Sequence, residues 1–411
     1  MAETRIMVAG GGAAGFFAAI ACAECCPSAS VTIVEKSVEF LSKVRISGGG
    51  RCNVTHACFD PRKLSEFYPR GGQALIGPFH RFQPGDTVAW FESRGVKLRT
   101  EEDGRIFPVS NCSQSIVDCL LKTARKAGVR LISGNSVQHA KSGEAAPFTL
   151  DLQDGTRADC EKLMLATGGC RTPSLARLAL GLGHSLMPPV PSLFAFRTDI
   201  SWLTPLAGIS VSDATLSIPG TKLAERGPLL ITHAGMSGPA VLRLSAWGAR
   251  DLSRLQYRFA MRINWFPSHS GERLNLALQN LRKQHPGKKI GNTPLSPMPS
   301  RLWQALVERA GMGFDMRWSG ISSAQQTTLL AQLAATEVPI TGKSMNRDEF
   351  VTCGGIPLAE VDFKSMQSRI VPGLFFGGEV LDIDGLTGGF NFQAAWTTGW
   401  IAGRAMGGQP A

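Results

Sequence analysis

The sequence predicts an α/β protein whose Rossmann-type dinucleotide-binding domain is split between the two ends of the chain. Three observations predict it. A glycine turn, Gly10-Gly11-Gly12-Ala13-Ala14-Gly15, stands between an apolar run at 6–9 and an apolar helical stretch at 13–25. Strand and helix patterns then alternate to about residue 190, the signature of a parallel sheet with helices on its faces. Glycine-rich, apolar sequence returns after residue 349, so the two ends of the chain are alike while the middle is not.

The first βαβ unit is a strand at 6–9, the glycine turn, a helix at 13–25 and a β-branched strand at 31–34. A glycine loop at 48–50 follows, then helices at 87–94 and 113–126 and strands at 129–132, 148–152 and 162–166. The last of these runs into Thr167-Gly168-Gly169, where small residues let backbone approach a ligand. Prolines at 188, 189 and 191 open a β-rich region with short alternating runs at 193–197, 214–218 and 228–231. Helices are expected at 273–284, 301–310 and 323–334, joined by a basic loop at 283–292. A strand at 374–376 and a helix at 390–406 close the chain. The expected domains are 1–190 with 345–411 for the dinucleotide, 191–270 with about 336–350 for the β-rich insertion, and 271–335 for a helical subdomain.

With 411 residues, 43% hydrophobic and 18% charged, the chain has room for two or three such domains. The charge of +11 favours anionic partners: phosphorylated cofactors, acidic substrates or nucleic acid. Ten scattered cysteines read as reduced thiols and hence a cytoplasmic protein. Cys22 and Cys25 form a C-x-x-C, but with no second pair or histidine nearby they read as packing residues, and no metal site is expected. The 18 uncharged residues at 6–23 mimic an export signal, yet their four glycines suit a strand-turn-helix better, so neither a signal peptide nor a membrane span is expected.

The glycine turn is a G-x-G-x-x-G with Glu35 at the end of the next strand. Gly10 permits the turn, Gly12 lets backbone reach a pyrophosphate at the helix N-terminus, Gly15 lets helix and strand pack, and Glu35 can accept from ribose hydroxyls. FAD and NAD both use this turn. Two further segments favour FAD. Ser47-Gly48-Gly49-Gly50-Arg51-Cys52-Asn53 follows soon after Glu35, where flavoproteins bring a loop against the isoalloxazine and pyrophosphate. Gly377-Gly378-Glu379 precedes the last helix, whose start near Gly388, Gly389 and Asn391 would point at the flavin pyrimidine edge. That helix end would favour anionic reduced flavin.

The segments ISGGGRCNVT, THAGMSGPAVLRLS, VTCGGI and PGLFFGGEVLDIDGLTGGFNFQAAWTTGWIAG together resemble the BaiN-like family of FAD-dependent oxidoreductases over nearly the whole chain. The resemblance implies a glutathione reductase-like domain with one dinucleotide fold, carrying an inserted β-barrel and a small helical subdomain. It implies FAD contacts at Gly10, Gly12, Ala13, Ala14, Gly15, Glu35, Lys36, Lys43, Arg51, Cys52, Asn53, Glu379, Gly388, Gly389, Phe390 and Asn391. Ser47, Gly50, Thr167, Gly168 and Asp384 complete the candidate set. NAD(P)H-dependent reduction of a steroid-like enone, or amine oxidation, is the activity implied. Cys353 stands where the family pattern suggests a small residue such as alanine, and is a candidate for tuning the flavin.

Other readings compete. Cys52 and Cys58 suggest a flavin disulfide reductase, whose redox pair lies on a helix, but such pairs have four residues between them rather than five, and no second G-x-G-x-x-G is present. His233 is the candidate proton donor or substrate contact, against a purely structural histidine. The sequence 235–238 lacks a full nucleophile-elbow pattern. The basic stretch 273–347 reads either as a solvated surface or as an RNA-facing patch, and it lacks interleaved aromatics. The reading of the sequence is therefore an FAD enzyme that reduces a small unsaturated or carbonyl acceptor with electrons from NADH or NADPH. An RNA-associated flavoprotein is the alternative.

Overall fold

The computed structural model describes residues 4–143, 147–170, 173–313, 315–343 and 351–409. The chain divides into two compact units, Met1–Pro191 with Val351–Ala411, and Ser192–Phe350.

In the first unit, strands Arg130–Ile132, Ser30–Val34, Arg5–Ala9, Lys162–Leu165 and Leu374–Phe376 lie side by side and parallel. Two short antiparallel strands, Gln367–Ser368 and Val361–Asp362, extend the last edge. Four of the five residues of Arg5–Ala9 and of Ser30–Val34 are buried, as expected of strands covered on both faces. Strand order reverses at Arg5–Ala9: the chain goes first to Ser30–Val34 on one side and later to Lys162–Leu165 on the other. The carboxyl ends of these strands therefore frame a switch-point crevice.

Helix Ala13–Cys25 follows the first strand, and every residue from Ala14 to Ala23 is buried. A helix apolar all round must be covered on all sides. Its second cover is the C-terminal helix Phe390–Met406, itself mostly buried. The two helices run parallel and meet backbone to backbone. A methyl on Gly399 would collide with the carbonyl of Ala14, and one on Gly403 with that of Ala18. Two small-residue faces thus bring into contact helices separated by most of the chain.

Several local expectations change. The glycines at 48–50 end a helix, Ser42–Gly50, in which Ser47, Gly48 and Gly49 leave helical geometry. The proline-rich segment opening the β-rich region is itself a strand, Met187–Ser192, paired with Val351–Gly355. Proline is tolerated there because each strand of a two-stranded ladder has a free edge. Only Phe196–Arg197 of the strand expected at 193–197 pairs, since Leu193 has φ 57°.

The second unit is one antiparallel sheet in the order Thr336–Ile340, Phe259–Asn264, Ser210–Ser217, Ala224–Thr232, Gly235–Ser237, Phe196–Arg197, Gly342–Lys343. Its two outermost strands are consecutive in sequence, and Thr341 N–H donates to the Arg197 carbonyl (2.9 Å). The sheet is thereby rolled into a barrel. Helices Gly271–Gln284, Ser300–Arg309 and Ser323–Ala335 have no core of their own; Leu278, Trp303, Leu306 and Leu333 share one with Leu216, Ile231 and Met261 of the sheet.

The glycine contact makes a stability prediction. Gly403→Ala should destabilise the protein by about 1–3 kcal/mol through overpacking. Gly77→Ala, with open space at its Cβ position, should be neutral or stabilising by up to about 1 kcal/mol. Denaturant midpoints of the two variants check this.

Candidate cofactor and active site

The crevice is built around the turn between Arg5–Ala9 and Ala13–Cys25. Gly10 has φ 116°, and a methyl there would strike the backbone of Ala166 and Thr167 at the end of strand Lys162–Leu165. Gly15 has no room either, because a side chain would meet the Gly10 carbonyl. Gly12 is the exception: at the helix N-cap, its Cβ position faces open space with nothing within 4 Å. The helix start has no side-chain cap and no acidic residue in its first turn. Its N–H groups and dipole are therefore left for an anion from outside. Ala13 and Ala14 begin the helix, Ala14 buried beneath Gly378.

Glu35 directly follows strand Ser30–Val34 and accepts from Gly11 N–H (2.7 Å) with one oxygen and from Ser37 N–H (2.9 Å) with the other. Each carboxylate oxygen keeps lone-pair capacity for a further donor. Lys36 beside it is exposed.

A second wall comes from the turn after Ser42–Gly50. Ser47 hydroxyl donates to the Val44 carbonyl (2.9 Å), and Gly49 and Gly50 have open space where a side chain would be. Arg51 lies 3.8 Å over the Phe107 ring and pairs with Glu101. Cys52 is fully buried, and burial pushes its thiol up to about 12. Burial likewise pushes Cys170 up to about 11, the Glu379 charge adding to it. Neither thiol is a thiolate near neutral pH. Residues 52–58 do not form the helix that carries a disulfide-reductase pair: Cys52 has φ 60° and Thr55–His56 is a strand.

A third wall is the start of helix Phe390–Met406, which also lacks a side-chain cap and first-turn acid. Its N-cap Gly389 has φ 94°, and a methyl there would run into the Thr55 backbone at 2.7 Å. With its amide oriented to satisfy both groups, Asn53 accepts from Gly389 N–H and donates to the Thr55 carbonyl, each at 3.0 Å. Asn391 grips its own loop, accepting from Gly385 N–H and donating to the Gly385 carbonyl, each at 2.8 Å. Asp384 is wholly buried in a two-point ion pair with Arg70, an anchor for the loop. Gly388 and the buried Phe390 form the floor: Phe390 stacks on Phe67 at 4.3 Å and on His56 at 4.8 Å. Fully buried Gln393 accepts from Thr55 (2.6 Å) and Thr87 (2.9 Å) and donates to Thr397 (3.0 Å).

Near Thr167 and Gly168 lies a charged cluster. Lys43 pairs with Glu379, whose other oxygen accepts from Thr352 N–H (2.7 Å), and both charges border Gly168. The Thr352 hydroxyl is buried and makes no hydrogen bond. Next to it, Cys353 is enclosed in strand Val351–Gly355. His233 belongs to the second unit, exposed at the turn between Ala224–Thr232 and Gly235–Ser237.

The sequence reading omitted His56, Thr352 and Gln393. His56 Nε2 donates to the Asp103 carbonyl (3.1 Å), while its buried Nδ1 has no partner. Burial lowers its pKa, against the opposing Asp103 hydrogen bond. Its closeness to Asn53 in sequence was the one available signal. Among the described residues no metal-holding cluster is present and no helix is long and apolar enough to cross a membrane.

These glycine cradles and uncapped helix ends fit a dinucleotide carrying a ring system. Residues 4–405 match the family described as HI0933-like protein Rossmann domain, and the chain belongs to this family of flavin-dependent oxidoreductases. It is 30% identical to the ribosomal RNA dihydrouridine synthase of Escherichia coli strain K12, covering 97% of both chains. It is 29% identical to the 3-dehydro-bile acid delta(4,6)-reductase of Clostridium scindens, covering 99% of this chain and 100% of that one. The ribosomal RNA dihydrouridine synthase of Haemophilus influenzae is also 29% identical, with 96% of both chains covered.

Two outcomes follow for the site. Gly12→Ala fills open space rather than a contact, so it should leave the denaturation midpoint unchanged while abolishing co-purifying flavin, measured by absorbance after denaturation. His56, with a lowered pKa, stays neutral in the fold at pH values where the unfolded chain already binds a proton. Stability should therefore fall as pH drops below about 6.5, and His56→Gln should flatten that part of a urea-midpoint profile.

Proposed function

We propose that the chain holds FAD across the two helix N-termini and uses it to add hydrogen across a carbon–carbon double bond conjugated to a carbonyl, with NADH or NADPH as electron source. The observation that carries this is the pair of parallel helices in glycine contact. Gly399 sits against Ala14, nine residues into the second helix and at the start of the first. The second N-terminus therefore projects about 12 Å beyond the first. One end suits a pyrophosphate and the other an isoalloxazine at the end of a ribityl spacer.

Bound flavin supplies hydride at N5. The chain does the rest. Gly12 and the N–H groups after it receive the pyrophosphate, and the remaining lone pairs of Glu35 receive ribose hydroxyls. Gly49 and Gly50 leave space for the ring, and the start of Phe390–Met406 stabilises negative charge on its pyrimidine edge. The proton for the carbon next to the carbonyl is drawn from solvent. Cys353 is enclosed and is assigned to tuning the ring environment.

Two relatives support the reaction class by their names. A dihydrouridine synthase and a Δ4,6-reductase of a 3-oxo steroid both saturate a double bond conjugated to a carbonyl. A second reading, uridine in ribosomal RNA as the substrate, is favoured by charge. Residues 192–350 carry eighteen lysines and arginines against ten aspartates and glutamates, and so most of the net +11.

Anaerobic stopped-flow absorbance tests the proposal. NADH or NADPH should bleach the flavin, and a 3-oxo-Δ4 steroid or deproteinised ribosomal RNA should restore its colour with a gain of two hydrogens in the product by mass spectrometry. A flavin that neither nucleotide reduces, or that only oxygen reoxidises, would contradict it.

A further inference from the structure

We infer that the loop joining helices Gly271–Gln284 and Ser300–Arg309 is a docking platform for the phosphate backbone of RNA, an inference that rests on the uridine reading above. Residues 282–289 contain Arg282, Lys283, Lys288 and Lys289 and no carboxylate. Arg317 is brought alongside by an isolated bridge between Lys289 and Arg317, and its guanidinium donates to the Gly287 carbonyl (3.0 Å). Lys283, Lys288, Lys289 and Arg317 are exposed. Asp315, paired with Lys289, is the one acid in the cluster among the described residues. Arg282, Lys283 and Lys288 pair with no carboxylate among those residues.

Two physical points separate this cluster from an ordinary solvated face. Basic residues in a last helical turn complement the helix dipole, which accounts for Arg282 and Lys283 but not for Lys288, Lys289 and Arg317 beyond it. The loop is also held rigid. Trp318 N–H donates to the Lys288 carbonyl (3.2 Å), Ser319 N–H to Pro286 (2.9 Å) and Ile290 N–H to Met316 (2.9 Å). The indoles of Trp303 and Trp318 pin its far end through the Ile290 carbonyl (2.7 Å) and the Thr293 hydroxyl (2.6 Å). Five cations, with Asp315 offsetting only Lys289, are thus held together on a fixed backbone, a repulsion that a polyanion relieves. Both tryptophans are buried, so the platform offers charge without a stacking surface. It fits backbone contact rather than base reading.

The test is fluorescence anisotropy with labelled, deproteinised ribosomal RNA at several salt concentrations, on the full-length flavin-loaded protein. Lys283→Gln/Lys288→Gln should weaken binding about tenfold near 0.15 M salt and reduce the log–log salt slope by about two. Lys122→Gln/Lys126→Gln, with the same net charge change at exposed positions of the other unit, should match wild type. If both pairs bind RNA as wild type does, the platform is overturned while the uridine reading stands. Wild type that fails to bind RNA overturns that reading and the platform's occupant together. Binding to phosphatidylglycerol vesicles but not to RNA would assign the cluster to a membrane surface and also overturn the proposal.

Discussion

The structure depends on one close contact between two helices that the sequence keeps far apart. Gly399 and Gly403 bring the backbone of Phe390–Met406 onto Ala14 and Ala18 of Ala13–Cys25. Both helices are then fixed in direction and offset, and both present uncapped N-termini at the carboxyl ends of the sheet. Among the described residues no other pair of elements ties the end of the chain so directly to its beginning. A side chain at either glycine would separate the helices and the two positive ends with them.

Around that contact, buried polar groups fix which way the second helix start faces. Arg70 and Asp384 form an ion pair whose disruption would leave a charge buried, a loss of about 3–5 kcal/mol in such settings. Gln393 satisfies Thr55, Thr87 and Thr397 inside the helix face, and Trp396 donates to the Val54 carbonyl (2.9 Å). Asn53 links the 48–53 turn to Gly389. Mispairing any of these is costly in a low-dielectric interior, so the network specifies the geometry of the crevice as well as stabilising it.

Local features of the fold were legible in the sequence. The turn at Gly10 to Gly15, the helices at 13–25 and 390–406 and the strands at 148–152 and 374–376 carry their own patterns of glycine, apolar run and period. Contacts between distant segments were not. His56 stacks on Phe390, and Asp384 meets Arg70, across separations of more than three hundred residues, and no periodicity marks either partner. Asp384 and Asn391 belong to the candidate set, and the fold gives both side chains protein partners that no sequence pattern marks. The positive φ of Cys52 is likewise invisible in the sequence. Charge composition was readable, but its rigid presentation at 285–290 needed the tertiary hydrogen bonds to 316–319.

The central claim is that three segments remote in sequence close on one cofactor. Hydrogen–deuterium exchange of the apoprotein with and without added FAD tests it most directly. Amides in 10–16, 48–53 and 389–393 should be protected simultaneously, with 282–289 unchanged. Protection confined to 10–16, or none at saturating FAD, would contradict it.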